Sequence, residues 1–442
     1  MQVIVVGAGL AGLRCARLLL DAGVDVQVIE GGDRVGGRAR TVMSAFVGGQ
    51  FAESGAEWVD TDHHRMIELL RQAGLSLEGE GQEWTMLRRL LFRDGRLLSP
   101  EDVHTLAPTL DAELEHYSDL FEAIAAGITD PSRPDLHPDA ATHDARSMAD
   151  VANAAGLGEL AGLFAARNAQ GEFAAELREV SALFVAQQRA QMNHVGAALD
   201  RPVRAHRVAG GLSQLASWMA DAVGRERIHL GELVSQVSWD DDRVEVRTAT
   251  GMWTGDHVVL ACALGPLRSV TFEPPLSPRL RAAIDELGYG TVTKTALQFT
   301  DRTAWPAGYT NTTLPSQRVY EPTIDQPGPT GIAMAYTGGD GGRRLAELDE
   351  NRRIDSVAAD LATMYPTIGA PLGGFSRAWS AEPRFGGSYA AYGPGTVTAH
   401  WQVLREPHGR LHLAGEHVAT WTGYLEGAVE SAETVADRIV RA

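Results

Sequence analysis

Cysteine is almost missing from this 442-residue chain, with only Cys15 and Cys262 present. Two residues so far apart cannot form the disulfide framework of a small secreted domain, nor do they have the paired spacing of a thiolate metal site. Cys15 falls in an apolar helix pattern and Cys262 in an apolar strand pattern, so both read as core thiols, an economy that suits the cytoplasm. Long hydrophobic runs are missing too. None approaches the roughly 20 residues of a membrane helix, and the first strand pattern begins at Gln2, which leaves no room for a signal peptide. A protein with no membrane partner is expected. Positive charge is short: 39 Lys and Arg face 57 Asp and Glu, for a net charge of −18. That balance excludes nucleic acid as a natural partner and weakly favours cationic ligands. The 14 histidines contain no HExxH or paired-ligand spacing. His63-His64 reads as a polar helix start, and no metal is expected.

What is present begins at the N-terminus. Gln2-Val3-Ile4-Val5-Val6 is the short β-branched run of a strand buried on both faces. It stops at Gly7-Ala8-Gly9-Leu10-Ala11-Gly12, a GxGxxG that opens a helical pattern through Leu13, Ala16 and Leu20, closed by Gly23. Val24 to Ile29 then form a second apolar strand ending in Glu30. In this order Gly7 permits the tight turn, Gly9 lets backbone approach a pyrophosphate, and Gly12 lets helix pack on strand. The helix N-terminus supplies free N–H groups, while Glu30 stands where a carboxylate accepts ribose hydrogen bonds. The reading is a dinucleotide site.

The following loop, Gly31-Gly32-Asp33-Arg34-Val35-Gly36-Gly37-Arg38, is more than a nicotinamide dehydrogenase needs. It resembles the GG-box of the FAD-dependent amine oxidase superfamily. The resemblance implies that Gly31 is among the cofactor-binding residues and that Arg38 and the backbone of Gly36 and Gly37 brace the FAD pyrophosphate and ribityl chain, a task suited to a planar guanidinium. It extends through Gly55-Ala56-Glu57-Trp58, a flavin-contacting segment in which Glu57 departs from the more frequent glutamine or serine. It also reaches Val234, whose counterpart pairs its backbone with adenine, and Trp379. Near the C-terminus, Gly415-Glu416 and Gly423-Tyr424-Leu425 resemble the turn and helix start that receive the flavin.

Three residues carry the implied chemistry. Lys294 sits in the strand pattern Thr291 to Phe299, where a snorkelling or edge lysine is the bland alternative. The family reading makes it the lysine that holds a water near flavin N5. Tyr389 and Tyr424 match the two aromatic residues that flank the amine in monoamine oxidases, with Tyr392 as a nearby competitor. Ser388 stands where mitochondrial relatives attach flavin through cysteine, so noncovalent FAD is expected.

Between these landmarks, Trp84 to Leu87 and Leu90 to Leu97 suggest a hairpin turning at Asp94-Gly95. Leu110 to Ala126 and Glu172 to Ala190 read as helices, and Gly427 to Ala442 as a final amphipathic helix. The fold class is α/β: a two-domain, Rossmann-type FAD-binding domain interleaved with a substrate domain of mixed sheet and helices. FAD-binding segments are expected at 1–78, 206–272 and 386–442, and substrate-domain segments at 79–205 and 273–385. The implied function is an FAD-dependent oxidase that converts a small-molecule amine to an imine while O2 becomes H2O2; a homodimer is allowed. Rivals of the same fold are an L-amino acid oxidase, with Arg88, Arg89 or Arg93 binding the carboxylate, and an FAD-dependent desaturase. A flavoprotein scaffold without catalysis would have no use for Lys294 and the tyrosines.

Overall fold

The computed structural model describes all residues except 84–88, 198, 200, 201 and 442. Five short strands form a parallel sheet in the order Leu411–Leu413, His257–Leu260, Gln2–Val6, Asp25–Glu30, Ile228–Leu230. Val3 and Val5 point to one face, where Leu13, Leu19, Met219 and Val435 cover them from three helices. Ile4 and Val6 point to the other, towards Val237, Val244 and Val246 of a four-stranded sheet. Burial on both faces explains why the first strand has no polar alternation.

The chain runs outward from the central strand Gln2–Val6 to Asp25–Glu30 and Ile228–Leu230, then crosses to fill the opposite side with His257–Leu260 and Leu411–Leu413. Strand order therefore reverses beside Gln2–Val6. In an open parallel sheet, the crevice beyond the carboxyl ends of the strands at such a reversal is where a ligand binds.

A second sheet of seven strands runs Gly373–Ala378, Thr293–Phe299, Gly331–Thr337, Arg318–Tyr320, Tyr309–Thr312, Arg89–Arg93, Arg96–Leu98. Its last hairpin turns at Asp94-Gly95 with φ of 52° and 72°, as the turn residues dictate. The expected strand pairing over Trp84 to Leu87 lies outside the described residues. Helices Leu110–Ala125, Met148–Ala155, Glu159–Glu172 and Ala182–Gly196 form a block against this part of the chain.

Three expectations need correction. The continuous helix over Glu172 to Ala190 does not exist: one helix ends at Glu172 and the next begins at Ala182. Ala174, at φ 51°, gives its carbonyl to Thr291 and Gly339, so tertiary hydrogen bonds outweigh the alanine-rich helical propensity there. Cys262 lies two residues beyond its strand, at the edge of the crevice, because the strand ends at Leu260. The final helix starts two residues earlier than expected, at Leu425. No helix among the described residues is long and apolar enough to cross a membrane.

Candidate active site

The crevice at the strand-order reversal opens into one cavity of about 1010 Å³, at the top of the roughly 300–1,000 Å³ range of ligand pockets. It is large enough for a cofactor and a substrate together. Every expected site residue lines it except Gly12. Gly12 serves packing instead: a Cβ there would lie 1.9 Å from the Gly7 carbonyl oxygen. Gly7, at φ 108°, turns the chain where a Cβ would lie 2.8 Å from the Ala261 carbonyl.

The helix Leu10–Asp21 starts at Gly9 without a side-chain cap. Its first N–H groups are therefore free for a pyrophosphate. Glu30 is fixed at the rim, one oxygen accepting the Ala8 N–H and the other the Gly32 N–H, each at 2.7 Å.

Arg38 reaches the cavity from the GG-box loop. Burial disfavours its charge, but Glu416 at 2.8 Å more than compensates and raises its pKa. Glu416 also accepts the N–H groups of Ala390 and Gly423 at 3.3 and 2.9 Å, so one buried carboxylate ties together the loop, the Tyr389 segment and the final helix start. Next to it, His417 is fully buried with neither ring nitrogen hydrogen-bonded, and burial lowers its pKa to about 3.

Lys294 is neither an edge nor a snorkelling lysine. All seven residues of its strand are buried, and the strand is flanked on both sides in the sheet. Its Nζ donates to Glu57 Oε2 at 2.7 Å and to the Gly55 carbonyl at 3.1 Å. Glu57 also accepts from Arg207 Nε at 2.7 Å and from the Tyr320 hydroxyl at 2.5 Å, and the Arg207 guanidinium lies 4.0 Å over the Trp58 ring. Burial alone would raise the Glu57 pKa; Lys294 and Arg207 together hold it at about 2. Glu57 is thus the counter-ion of both cations, and both of its oxygens are engaged. This explains the departure from glutamine or serine noted in the sequence. Lys294 is also the only lysine of the chain.

Tyr389 and Tyr424 both face the cavity, and no ring contact joins them. The Tyr389 hydroxyl is 2.9 Å from that of Tyr336 and donates to the Gly171 carbonyl at 2.7 Å. Tyr424 is wedged edge-on between Trp421 and His63, with centroids 5.4 Å from each. Each ring is held by its own neighbours. Tyr392, the competitor, is fully buried against Phe184 and Trp401. Ser388 lines the cavity.

His63 is the expected helix start, but it is buried. It precedes the helix His64–Gln72, is 1% exposed, and burial lowers its pKa to about 3. Asp60, Asp62 and His63 place potential ligand atoms within 4.8 Å of one another. However, the Asp60 N–H donates to His63 Nδ1 at 3.1 Å, so the neutral ring carries its proton on Nε2, the wrong tautomer for a metal there.

Sequence reasoning missed Glu172 and Arg318, which also line the cavity. Glu172 was hidden by the false helix, and Arg318 by a strand with no motif. Arg93 does not reach the cavity, being paired with Glu159 and Asp94, whereas Arg89 lines it. Arg88 lies outside the described residues.

The uncapped helix start, the glycines and the paired Arg38 fit FAD. A family model described as flavin containing amine oxidoreductase matches residues 10–440. The flavin-containing amine oxidase of Danio rerio is 27% identical, the match covering 99% of this chain and 85% of that protein. An L-amino acid dehydrogenase of Synechocystis sp. is 27% identical, covering 99% and 94%. Among solved structures, a redesigned putrescine oxidase aligns over 100% of both chains with a TM-score of 0.86 and 25% identity. With a two-domain FAD-binding fold and a family match over nearly its whole length, the chain belongs to the flavin-containing amine oxidoreductases and is an oxidoreductase acting on amines.

Proposed function

We propose that the chain is an amine oxidase that holds FAD noncovalently, converts an amine to an imine and passes the electrons to O2. The observation that carries this reading is the single cavity, with the glycine turn and Glu30 at one end and Lys294, Tyr389 and Tyr424 at the other. When bound, FAD supplies the acceptor for the hydride equivalent that leaves the amine α-carbon and for its onward transfer to O2, giving H2O2. The helix start at Leu10 and the Arg38 guanidinium would hold the pyrophosphate and Glu30 the ribose, with the adenine end near Val234. Ser388 cannot form a thioether, which supports noncovalent binding.

The protein's own part is orientation, dryness and charge. Tyr389 and Tyr424 present aromatic faces that align a neutral amine and exclude water. Lys294, neutralised by Glu57, would hold a water by its remaining N–H. No side chain is needed to move the α-proton once the amine enters deprotonated, and water then hydrolyses the imine. The five-strand sheet is built from the three segments read as FAD-binding and the seven-strand sheet from the two read as substrate domain, which supports the division at 78, 205, 272 and 385. Two isolated cysteines suit a cytoplasmic protein.

A second reading, an L-amino acid oxidase, is favoured by Arg318: it lines the cavity and has no carboxylate partner among the described residues. A peroxide-coupled screen of primary, secondary and cyclic amines beside L-amino acids decides between them. Peroxide release with amines supports the first reading, and release with amino acids alone overturns it.

A further inference from the structure

Asp62 lies in the turn between the strand Val59–Asp60 and the helix His64–Gln72, and with Asp60 and His63 it lines the cavity. It is 5% exposed, and its Oδ1 is buried without a hydrogen-bond partner among the described residues. No arginine or lysine acts on its charge. Elsewhere in the cavity the acids have partners. Glu416 pairs with Arg38, Glu57 with Arg207 and Lys294, and Glu83 with Arg204. Glu30 accepts the Ala8 and Gly32 N–H groups, Glu232 the Thr248 and Thr250 hydroxyls, and Arg189 and Arg318 both act on Glu172.

Burial favours the neutral form of the Asp62 carboxyl and raises its pKa, while its own backbone N–H and the neighbouring His64 favour the charged form. The group can therefore take up a proton and give it back. Asp60, Asp62 and His63 bring oxygen or nitrogen atoms within 4.8 Å of one another, and the His63 ring stands 5.4 Å from that of Tyr424. The charges of Asp62, Asp60 and Glu172 reach Tyr424, opposed by that of Arg189. Glu426 of the final helix, also beside this turn, is held by Arg65 at 3.3 Å, and His64 is exposed.

The reaction needs a proton acceptor before it begins. An alkylamine is an ammonium ion at neutral pH, and its nitrogen then has no lone pair with which to form the imine. The ion also resists transfer from water into a dry aromatic space. We infer that Asp62 is the base that deprotonates the ammonium substrate as it enters, so that a neutral amine reaches Tyr389 and Tyr424. This rests on the amine-oxidation reading. An N–H bond breaks with its electron pair left on nitrogen, an O–H bond forms on Asp62, and the proton passes to solvent by way of Asp60 and His64.

The test is anaerobic reduction of the FAD-loaded enzyme by saturating butylamine and by β,β-difluorobutylamine, whose fluorines lower its basicity so that the neutral form predominates at about pH 8, where butylamine is still protonated. At that pH Asp62→Asn should slow reduction by butylamine roughly a hundredfold or more, the usual effect of a placed base, and leave the fluorinated amine at the wild-type rate. Raising the pH towards that at which butylamine is itself neutral should restore the variant, and Asp62→Glu should keep part of the activity. The flavin-to-protein ratio should stay that of wild type. Wild type alone gives a second check: with saturating butylamine its rate should hold as the pH falls from about 9 to about 7, where an enzyme without a base loses about tenfold per unit. Equal slowing of both amines in Asp62→Asn, no slowing with butylamine, loss of FAD from that variant, or the tenfold fall in wild type overturns the inference while amine oxidation stands. Reduction of wild type by neither amine overturns both.

Discussion

Lys294 Nζ lies 2.7 Å from Glu57 Oε2, and both side chains are almost completely buried, in segments 237 positions apart in sequence. Glu57 must neutralise Arg207 as well, so the shared carboxylate matters more than either cation: removing one cation leaves the carboxylate still paired, whereas removing the carboxylate strands both. Glu57→Gln should therefore destabilise the fold by about 3–5 kcal/mol, the cost of stranding buried charge, and Lys294→Met by about half of that. Thermal unfolding of both variants checks the order. A Glu57→Gln protein as stable as wild type would contradict it.

Lys294→Met nearly preserves volume while removing the ammonium. The oxidative half-reaction should slow more than anaerobic flavin reduction, because the proposed water rather than the amine is lost. Stopped-flow measurement of the two half-reactions separates these, and equal slowing of both would reject the assignment.

Glu53 and Glu57, four residues apart, should shape stability in opposite pH windows. Glu57 has its pKa lowered from 4.5 to about 2, so its contribution is complete above pH 4.5 and is lost as pH falls towards 2. Glu53 is pushed up to about 7 by burial, which outweighs the hydrogen bonds from Leu212 and Thr41. Its contribution is complete below pH 4.5 and is lost as pH rises through 7. Each window is worth about 3 kcal/mol at 1.4 kcal/mol per unit. Melting temperature against pH checks this: Glu53→Gln should flatten the loss between pH 4.5 and 7 and leave the acid limb unchanged.

Acid precipitation of the yellow protein should leave FAD in the supernatant, because Ser388 offers no thiolate to the flavin. Flavin retained in the pellet would show a covalent bond and sink this expectation.

Tyr424→Ala should lose far more turnover than FAD. It removes one wall of the space facing Tyr389, and a misplacement near 1 Å costs about a hundredfold in rate. Tyr424→Phe should be mild, since its ring can still pack edge-on with Trp421 and His63 and the hydroxyl makes no hydrogen bond to a described residue. Reduction of the alanine variant at the wild-type rate would return Tyr424 to a packing role.

The cofactor half of the site was legible because its constraints are local. A glycine whose Cβ would collide with a carbonyl, as at Gly7 and Gly12, leaves a mark at a single position. Glu57 was legible only as a departure, because its partners come from strands and loops distant in sequence. A count would have helped: the chain's only lysine, placed in a strand, is a composition signal that motif reading passed over. Glu172 was not legible at all. Alanine-rich sequence on both sides argued for continuous helix, and only the tertiary hydrogen bonds of Ala174 end that helix and turn the acid into the cavity.

The most direct test of the central claim, that one cavity binds FAD at its glycine end and an amine at its tyrosine end, is anaerobic mixing of the purified yellow protein with an amine. The account predicts that the flavin absorbance bleaches as the amine is consumed one for one, and that admitting O2 restores the colour with an equal amount of H2O2. Flavin absorbance that stays unchanged across primary, secondary, cyclic and diamine substrates would contradict it.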